Sequence, residues 1–549
     1  MVEHVRRRAG LALRQPAITQ TINGAKEISQ VTSSLNDATH PASLATVTYT
    51  PFGSVSTLQN ACVGSGCTPV QETYQYNTLL QMGVAELGTS GNPAADSCRV
   101  YNYYANTSNP TSCALPSQST NNDGDVAGYY YVDNVNSSLS HSATYTYDAV
   151  NRLVSATATG SVAYSQTYTY TGDGSTGQYG NMSCTPAGPG CVAFAYSAST
   201  NRITTSGYSY DAAGDVTGDG TNTYQWDAEA HLIKVINGGG TAISINTYNA
   251  LGQRVRDVTQ SATTDEAYGA GGNLLWRYTG SSSTNRSFVP FSGGILAEYW
   301  SGGTIFDHPD EIGSATTSTD YTGNNLNEKL YYPFGESWTG AAIPNFNMHQ
   351  TFAQLPDYDP ETDQYNTANR HYSPSGRWMS PDPGGMSVIH PDNPQTWNLY
   401  AYVANNPTTT ADPSGLDPTT APSSSQENLE DAYDPDTELQ AEEAQLAGIN
   451  ANGTADAAEQ GAADVANESG LAQNQADPTT PPPPPTPDPA GTRTDPALNP
   501  EPSTNSNSST TSSPADQTQA PMESRGQGKG ERGQTSNLLD CCHGMDDLL

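Results

Sequence analysis

The sequence predicts an all-β protein of stacked antiparallel β-hairpins, followed by a polar C-terminal tail that does not fold. Three observations carry that reading. Tyr supplies 32 of the aromatic residues against 8 Phe and 6 Trp, and tyrosine suits half-buried sheet surfaces. A Tyr-Asp turn recurs along the chain. Only 34% of residues are hydrophobic and the mean hydropathy is -0.59, which suits a β-rich exported protein better than a compact helical enzyme. With 549 residues, more than one region is expected.

The N-terminal segment 1–44 opens on MVEHVRRRAGLALRQPA, basic at first but too short in apolar residues for a signal-peptide core. This stretch is expected to be poorly ordered. An exported type of composition without a clear signal peptide implies that more sequence precedes Met1, or that a route reading no cleavable signal is used. No run of 18 apolar residues occurs, so no membrane span is predicted.

Residues 45–336 carry the repeats. Tyr147-Asp148-Ala149-Val150-Asn151-Arg152-Leu153 resembles Tyr210-Asp211-Ala212-Ala213-Gly214-Asp215-Val216. Trp226-Asp227-Ala228-Glu229-Ala230-His231-Leu232 and Tyr248-Asn249-Ala250-Leu251-Gly252-Gln253-Arg254 are two further copies. Tyr76-Asn77-Thr78-Leu79-Leu80 is a weaker one. Asp or Asn caps the first position of such a turn, and Gly or Asn at the fourth tolerates a positive φ. The copy at Asp227 ends in Ala230 and fits less well. Flanking stretches such as SATYTYD, YSQTYTY and TNTYQWD alternate in polarity, so each unit reads as a hairpin with the turn at its tip. A hairpin cannot bury its own face, so successive hairpins are expected to stack into one long sheet.

Three close cysteine pairs, Cys62 with Cys67, Cys98 with Cys113 and Cys184 with Cys191, read as disulfides in an oxidising compartment. Cys541 and Cys542 are adjacent in the tail and read as free thiols. No cysteine pair has zinc-site spacing. A metal role for His308 with Asp307 and Asp310 is weighed and set aside; neither metal nor cofactor is expected.

Residues 337–416 hold the most specific stretch, Arg370-His371-Tyr372-Ser373-Pro374-Ser375-Gly376-Arg377-Trp378-Met379-Ser380-Pro381-Asp382-Pro383, and then Asp412-Pro413-Ser414-Gly415-Leu416. An Asp before Pro is commonly a turn element. Two of them stand just before the composition changes.

From residue 417 on, Pro-, Ser- and Ala-rich polar sequence holds 23 acidic and 4 basic residues, against 33 and 16 before it. The tail is too polar to bury a core. Only DTELQAEEAQLAGI, 436–449, reads as a helix. A net charge of -36 argues against nucleic acid as a partner.

Together the Tyr-Asp repeats, FVPFSGGILAEYW (288–300), the His308-x-Asp310-x-x-Gly313-Ser314 and Tyr331-x-Pro333-Phe334-Gly335 patterns and the 352–416 stretch resemble the Rhs, or YD-repeat, proteins, bacterial relatives of the teneurin YD shell. The resemblance covers roughly 140–416, more weakly from 45. It implies a β-shell over 45–336, an Rhs repeat-associated core domain over 337–416, and secretion or display at a bacterial surface. With so few hairpins, an open curved wall is expected rather than a sealed capsule.

The family's core domain is similar to an intramolecular aspartic-type autoprotease. Carried over, Asp382 and Asp412 are the catalytic pair, Arg370 orients a carboxylate, and the cut lies between Leu416 and Asp417. Three departures stand out: His371 replaces a Tyr, GGMSVIHPDNPQTW is an insertion between the aspartates, and Asp417-Pro418 directly follows the expected cut and restricts the backbone there. The implied partner is the chain's own C-terminal passenger, with upstream shell segments, carbohydrate or a neighbouring cell surface as further possibilities. The alternative reading is a non-cleaving adhesin or carbohydrate-binding structural protein.

Overall fold

The structure, a computed structural model, describes residues 16–416 and 419–420, apart from 106, 171–178, 270–271, 280–284, 293 and 343–351. The tail helix at 436–449, Cys541, Cys542 and Asp417 lie outside the described residues.

Twelve strands, from Ile18–Ile22 to Met182–Thr185, form one sheet in chain order, and fourteen, from Tyr208–Tyr210 to Ser337–Ala342, form a second. Every pairing in both is antiparallel between neighbours in sequence, the order expected of stacked hairpins, but the one long sheet expected is split in two, because Met182–Thr185 does not pair with Tyr208–Tyr210. Two boundaries differ from the sequence reading. Strands Ile18–Ile22 and Ile28–Ser33 fall in the segment expected to be poorly ordered. Strand Ser337–Ala342 completes the second sheet from within the expected core domain.

The Tyr-Asp repeat has a detailed physical basis. Oδ1 of Asp148 accepts from the backbone N–H of Val150 and Arg152, each at 3.1 Å. Asn249, Asp227 and Asn77 cap their turns in the same way, and Asp211 accepts instead from Gly214 and Asp215. At the fourth position Asn151, Gly214 and Gly252 have φ of 61, 111 and 75°. Ala230 and Leu80 adopt the same sign at 61 and 64°. The two poorly fitting copies are therefore full turns, because the cap overrides the modest cost of a left-handed Ala or Leu.

Just after several of these turns the register slips by one residue: Leu153 faces Tyr147, Leu232 faces Trp226, and Met82 faces Tyr76. Such a bulge leaves a backbone carbonyl without a ladder partner. The aromatic residue of the following hairpin supplies one. Tyr49 Oη donates to Ile28 O at 2.8 Å, Tyr76 to Val55 O at 2.8 Å, Tyr103 to Met82 O at 3.0 Å, Tyr170 to Leu153 O at 2.5 Å and Tyr248 to Leu232 O at 3.0 Å. Where the repeat has Trp226, its indole Nε1 donates to Val216 O at 2.7 Å. The repeat thus requires a flat ring with a donor at its far end. Tyr76→Phe should lower stability by about 0.5–1.5 kcal/mol through loss of the hydrogen bond to the Val55 carbonyl, read as a fall in the urea midpoint; an unchanged midpoint would remove the hydroxyl from the account.

The two sheets share a core of Ile28, Val31, Leu44, Val47 and Leu58 with Val289, Leu296 and Phe306. Polar contacts cross the same junction: Glu72 Oε1 to His308 Nδ1 at 2.7 Å and Arg99 Nη1 to Asp310 Oδ2 at 3.5 Å. Burial pushes Glu311 up to about 8, helped by the neighbouring Asp310, and pushes Glu328 up to about 7, helped by Asp133. These carboxyls are raised above their unfolded value of 4.5, so the folded chain retains protons that the unfolded chain releases. Stability from them is complete below pH 4.5 and is lost as pH rises to about 8. The urea midpoint should therefore fall between pH 5 and 8, and Glu311→Gln should flatten that slope; an unaltered slope would contradict it.

The sulfurs of Cys62 and Cys67, Cys98 and Cys113, and Cys184 and Cys191 are joined in pairs, closing loops beside strand ends.

Candidate active site

Four short strands, Asp357–Asp359, Gln364–Asn366, His371–Ser373 and Arg377–Trp378, build the unit that carries the predicted site. It docks on hairpin turns of both sheets. Tyr372 Oη donates to Phe334 O at 2.7 Å and Tyr365 Oη to Gly335 O at 2.9 Å, which accounts for the Tyr-x-Pro-Phe-Gly pattern. Ala353 N donates to Ser314 Oγ at 3.0 Å, using the serine of the His-x-Asp-x-x-Gly-Ser pattern. Asn406 Nδ2 reaches Asp125, Thr408 reaches Tyr147, and Tyr400 Oη donates to Gly214 O at 2.9 Å. His371, the departure from Tyr, places Nε2 3.1 Å from Tyr248 Oη. The insertion folds into short turns at Gly385–Val388 and Pro394–Trp397, with Trp397 stacked on Tyr179.

Arg370 is the centre of the site. It stands in the turn between two of the short strands, closed by Thr367 Oγ1, which donates to Arg370 O at 2.7 Å. Its guanidinium lies 4.3 Å from the Trp378 ring centroid. Nη2 lies 3.0 Å from Asp382 Oδ2 and 3.3 Å from Asp412 Oδ2. One nitrogen therefore bridges two carboxylates that are 42 residues or fewer from it in the chain and face each other across it. Nη1 donates to Leu399 O at 3.3 Å, and Nε to Gly415 O.

Each aspartate does two jobs with two oxygens. Asp382 Oδ1 accepts from Gly384 N at 2.8 Å, and Asp412 Oδ1 accepts from Gly415 N at 2.8 Å and Leu416 N at 3.1 Å. The turn reading of the Asp-Pro steps is realised, because Oδ1 of each aspartate caps its turn, while Oδ2 of each faces Arg370. Asp412 is 1% exposed, and burial raises its carboxyl above the ordinary range against the opposing pull of Arg370. Gly415 has φ of 76°, and a Cβ there would stand 2.4 Å from Thr367 Oγ1. Leu416, by contrast, is 36% exposed. The residue on the acyl side of the expected cut is exposed, while Asp412 is buried and Asp382 is partly buried. Asn369 Nδ2 donates to Ser414 O at 3.0 Å, a contact the sequence reading did not single out although Asn369 adjoins Arg370.

The other candidates have different places. His308 has both ring nitrogens engaged, by Glu72 at 2.7 Å and Thr319 Oγ1 at 2.9 Å, while Asp307 accepts from Ser318 Oγ at 2.7 Å. These groups are joints between strands and sheets. Missed entirely was a buried cluster in which Arg254 meets Glu266 at 3.3 Å and Asp359 at 2.6 Å, and Arg277 meets Glu266 at 3.0 Å. A cavity of about 400 Å³ lies between both sheets and the site loop, lined by Tyr74, Met82, Leu274, Phe291, Thr367 and Ser414 among others. Among the described residues no helix is long and apolar enough to cross a membrane.

No protein-family model matches the chain. It is 29% identical over 222 residues to the tRNA3(Ser)-specific nuclease WapA of Bacillus spizizenii and 28% identical over 222 residues to the tRNA nuclease WapA of Bacillus subtilis. Each match covers 39% of this chain and 9% of the relative. It is 30% identical over 116 residues to the toxin subunit YenC1 of Yersinia entomophaga, covering 21% of this chain and 11% of that protein. Among solved structures, the Photorhabdus luminescens Tc holotoxin pore aligns with a TM-score of 0.37 at 20% identity, over 74% of this chain and 18% of that one. The TcdB2-TccC3 crystal structure gives 0.36 at 20% identity, over 73% and 18%. The chain therefore spans about a tenth of the length of the curated relatives it matches.

Proposed function

We propose that this chain is the closing part of an Rhs/YD-repeat shell and severs itself between Leu416 and Asp417, freeing a passenger of residues 417–549. The observation that carries the proposal is the single Arg370 nitrogen shared by Asp382 and Asp412 beside the exposed Leu416.

The chemistry follows from charge balance. One guanidinium offsets one carboxylate, and in a buried site the second carboxyl is favoured as the neutral acid. In this reading Asp412, whose carboxyl burial raises above its ordinary value, is assigned as the acid and Asp382 as the base. Asp382 takes a proton from water, and the resulting hydroxide oxygen adds to the Leu416 carbonyl carbon. Asp412 gives its proton to the carbonyl oxygen. Collapse breaks the C–N bond as Asp382 passes its acquired proton to the Asp417 nitrogen and a hydroxyl of the diol returns one to Asp412; the products are an acid at Leu416, which ionises in water, and an Asp417 amine. Gly415 and Leu416 are already held by Asp412 and Arg370, so the reacting bond starts near its catalysts.

The names of the relatives, a nuclease and a toxin subunit, support a role in competition between bacteria. The three joined cysteine pairs support secretion or a cell-surface location. The polar tail supports a passenger that does not act as a compact enzyme. Mass spectrometry of the expressed full chain tests the proposal. A fragment beginning at Asp417 is expected. Fragments beginning at Pro383 or Pro413 would show acid cleavage of Asp-Pro bonds instead, and an intact chain would reduce the site to a structural plug.

A further inference from the structure

The cavity of about 400 Å³ between the two sheets and the site loop has no part in the proposed cut, since neither Asp382 nor Asp412 lines it. Its walls are of two kinds. Leu58 and Met82 from the first sheet and Leu274 and Phe291 from the second supply apolar surface. The charged lining residues are four acids, Glu72, Asp307, Asp310 and Glu311, and one base, Arg254. Three of those acids arrive on one segment, the end of strand Gly303–Pro309 and the two residues after it, and Glu72 is tied to that segment through His308.

Most of these charges are already engaged. Arg254 is held by Glu266 and Asp359, Glu72 by His308, and Asp310 by Arg99, while Asp307 accepts from Ser318. Glu311 differs. Its backbone N–H donates to Tyr101 Oη at 3.3 Å, which fixes the residue at the cavity wall, yet among the described residues its carboxyl makes no ion pair. Burial and the neighbouring Asp310 push it up to about 8 against the pull of Arg99, so it holds a proton at neutral pH for want of a counter-charge.

We propose that the cavity is a binding site for a small organic cation, a primary ammonium or guanidinium on an apolar stem, with Glu311 as its counter-ion and Leu58, Met82, Leu274 and Phe291 around the stem. The volume falls within the range of small-molecule sites. An anion would meet four acids and one guanidinium that is already engaged, and a neutral molecule of the same shape would leave Glu311 without a counter-charge. The site does not depend on the self-cleavage reading.

The test titrates the full chain calorimetrically with phenethylamine, 2-phenylethanol and 3-phenylpropionate, which share a ring and a two-carbon stem and differ in charge. Phenethylamine should bind at least about tenfold more tightly than the alcohol, the worth of one charge-assisted hydrogen bond or better, and the anion should not bind. E311Q should lose that advantage and leave the alcohol unchanged, with near-ultraviolet circular dichroism as the folding control. A second readout needs no variant. An ammonium at Glu311 favours the carboxylate, so phenethylamine binding at neutral pH should release close to one proton, seen by repeating the titration in buffers of different ionisation heat. Phenethylamine binding weaker than about 1 mM, equal affinity for the amine and the alcohol, wild-type amine affinity in folded E311Q, or amine binding with no proton released would each overturn the proposal.

Discussion

Replacing either aspartate with asparagine should abolish release of residues 417–549 while leaving the fold intact. Asp412→Asn keeps an Oδ1 able to accept from Gly415 and Leu416, but it sets an amide NH2 against Arg370 Nη2, so the exchangeable proton and the ion pair are both lost. Asp382→Asn likewise keeps the cap on Gly384 but loses the base. A drop of at least about 100-fold in rate is expected, as for removal of a general acid or base. Arg370→Lys should also be slow, because an ammonium cannot at once reach two carboxylates, the Leu399 carbonyl and the Gly415 carbonyl. The rate should not depend on protein concentration, since bond and catalysts share one chain. Quantifying the 417–549 fragment by mass spectrometry over time, with near-ultraviolet circular dichroism as the folding control, checks each variant. Wild-type release by either asparagine variant would remove the aspartates from the chemistry.

The largest stability effect is expected at Arg254. Its side chain is 2% exposed and Glu266's is 0% exposed, and the same guanidinium reaches Asp359 in the short-strand unit. Arg254→Met would strip both carboxylates of that partner, leaving Glu266 with Arg277. Breaking a buried pair in this way costs about 3–5 kcal/mol, because the remaining charge cannot return to water. Arg256 is the internal control. It pairs with Asp265 at 2.6 Å but is 45% exposed, so Arg256→Met should change stability by less than about 1 kcal/mol. Urea unfolding of the two variants should differ severalfold. Equal losses would mean that burial does not decide the worth of these pairs. Because Arg254 also anchors Asp359, the first variant should loosen the unit carrying Arg370 and slow release as well.

Much of the architecture was legible because its determinants are local. An Asp or Asn that caps its own turn needs only the next four residues, and alternation within a strand needs only the strand. The turns at Asp148, Asp211, Asp227, Asn249 and Asn77 could therefore be read directly. Even so, Ala230 and Leu80 fit the turn better than their residue types suggest, because a side-chain cap outweighs the residue preference at the fourth position. The early strands at Ile18–Ile22 and Ile28–Ser33 were missed for a related reason: ITQTI and ISQVTS are short and polar, and only pairing with the next strand makes them a sheet.

The sequence by itself determined the hairpin repeat, the antiparallel order of both sheets and the identity of Arg370, Asp382 and Asp412 as residues worth following. Tertiary structure alone decided why the repeat begins with Tyr: the hydroxyl serves a carbonyl left open by a bulge in the preceding hairpin, often 21 residues back, as with Tyr76 and Val55. It also decided that Asp382 and Asp412 meet, through one nitrogen of Arg370, and that Arg254 binds Asp359 from 105 residues away. The physical reason is range. Caps and alternation are settled by neighbours in the chain, whereas a bridged pair of carboxylates or a borrowed carbonyl depends on which hairpins stack and how the short-strand unit docks upon them.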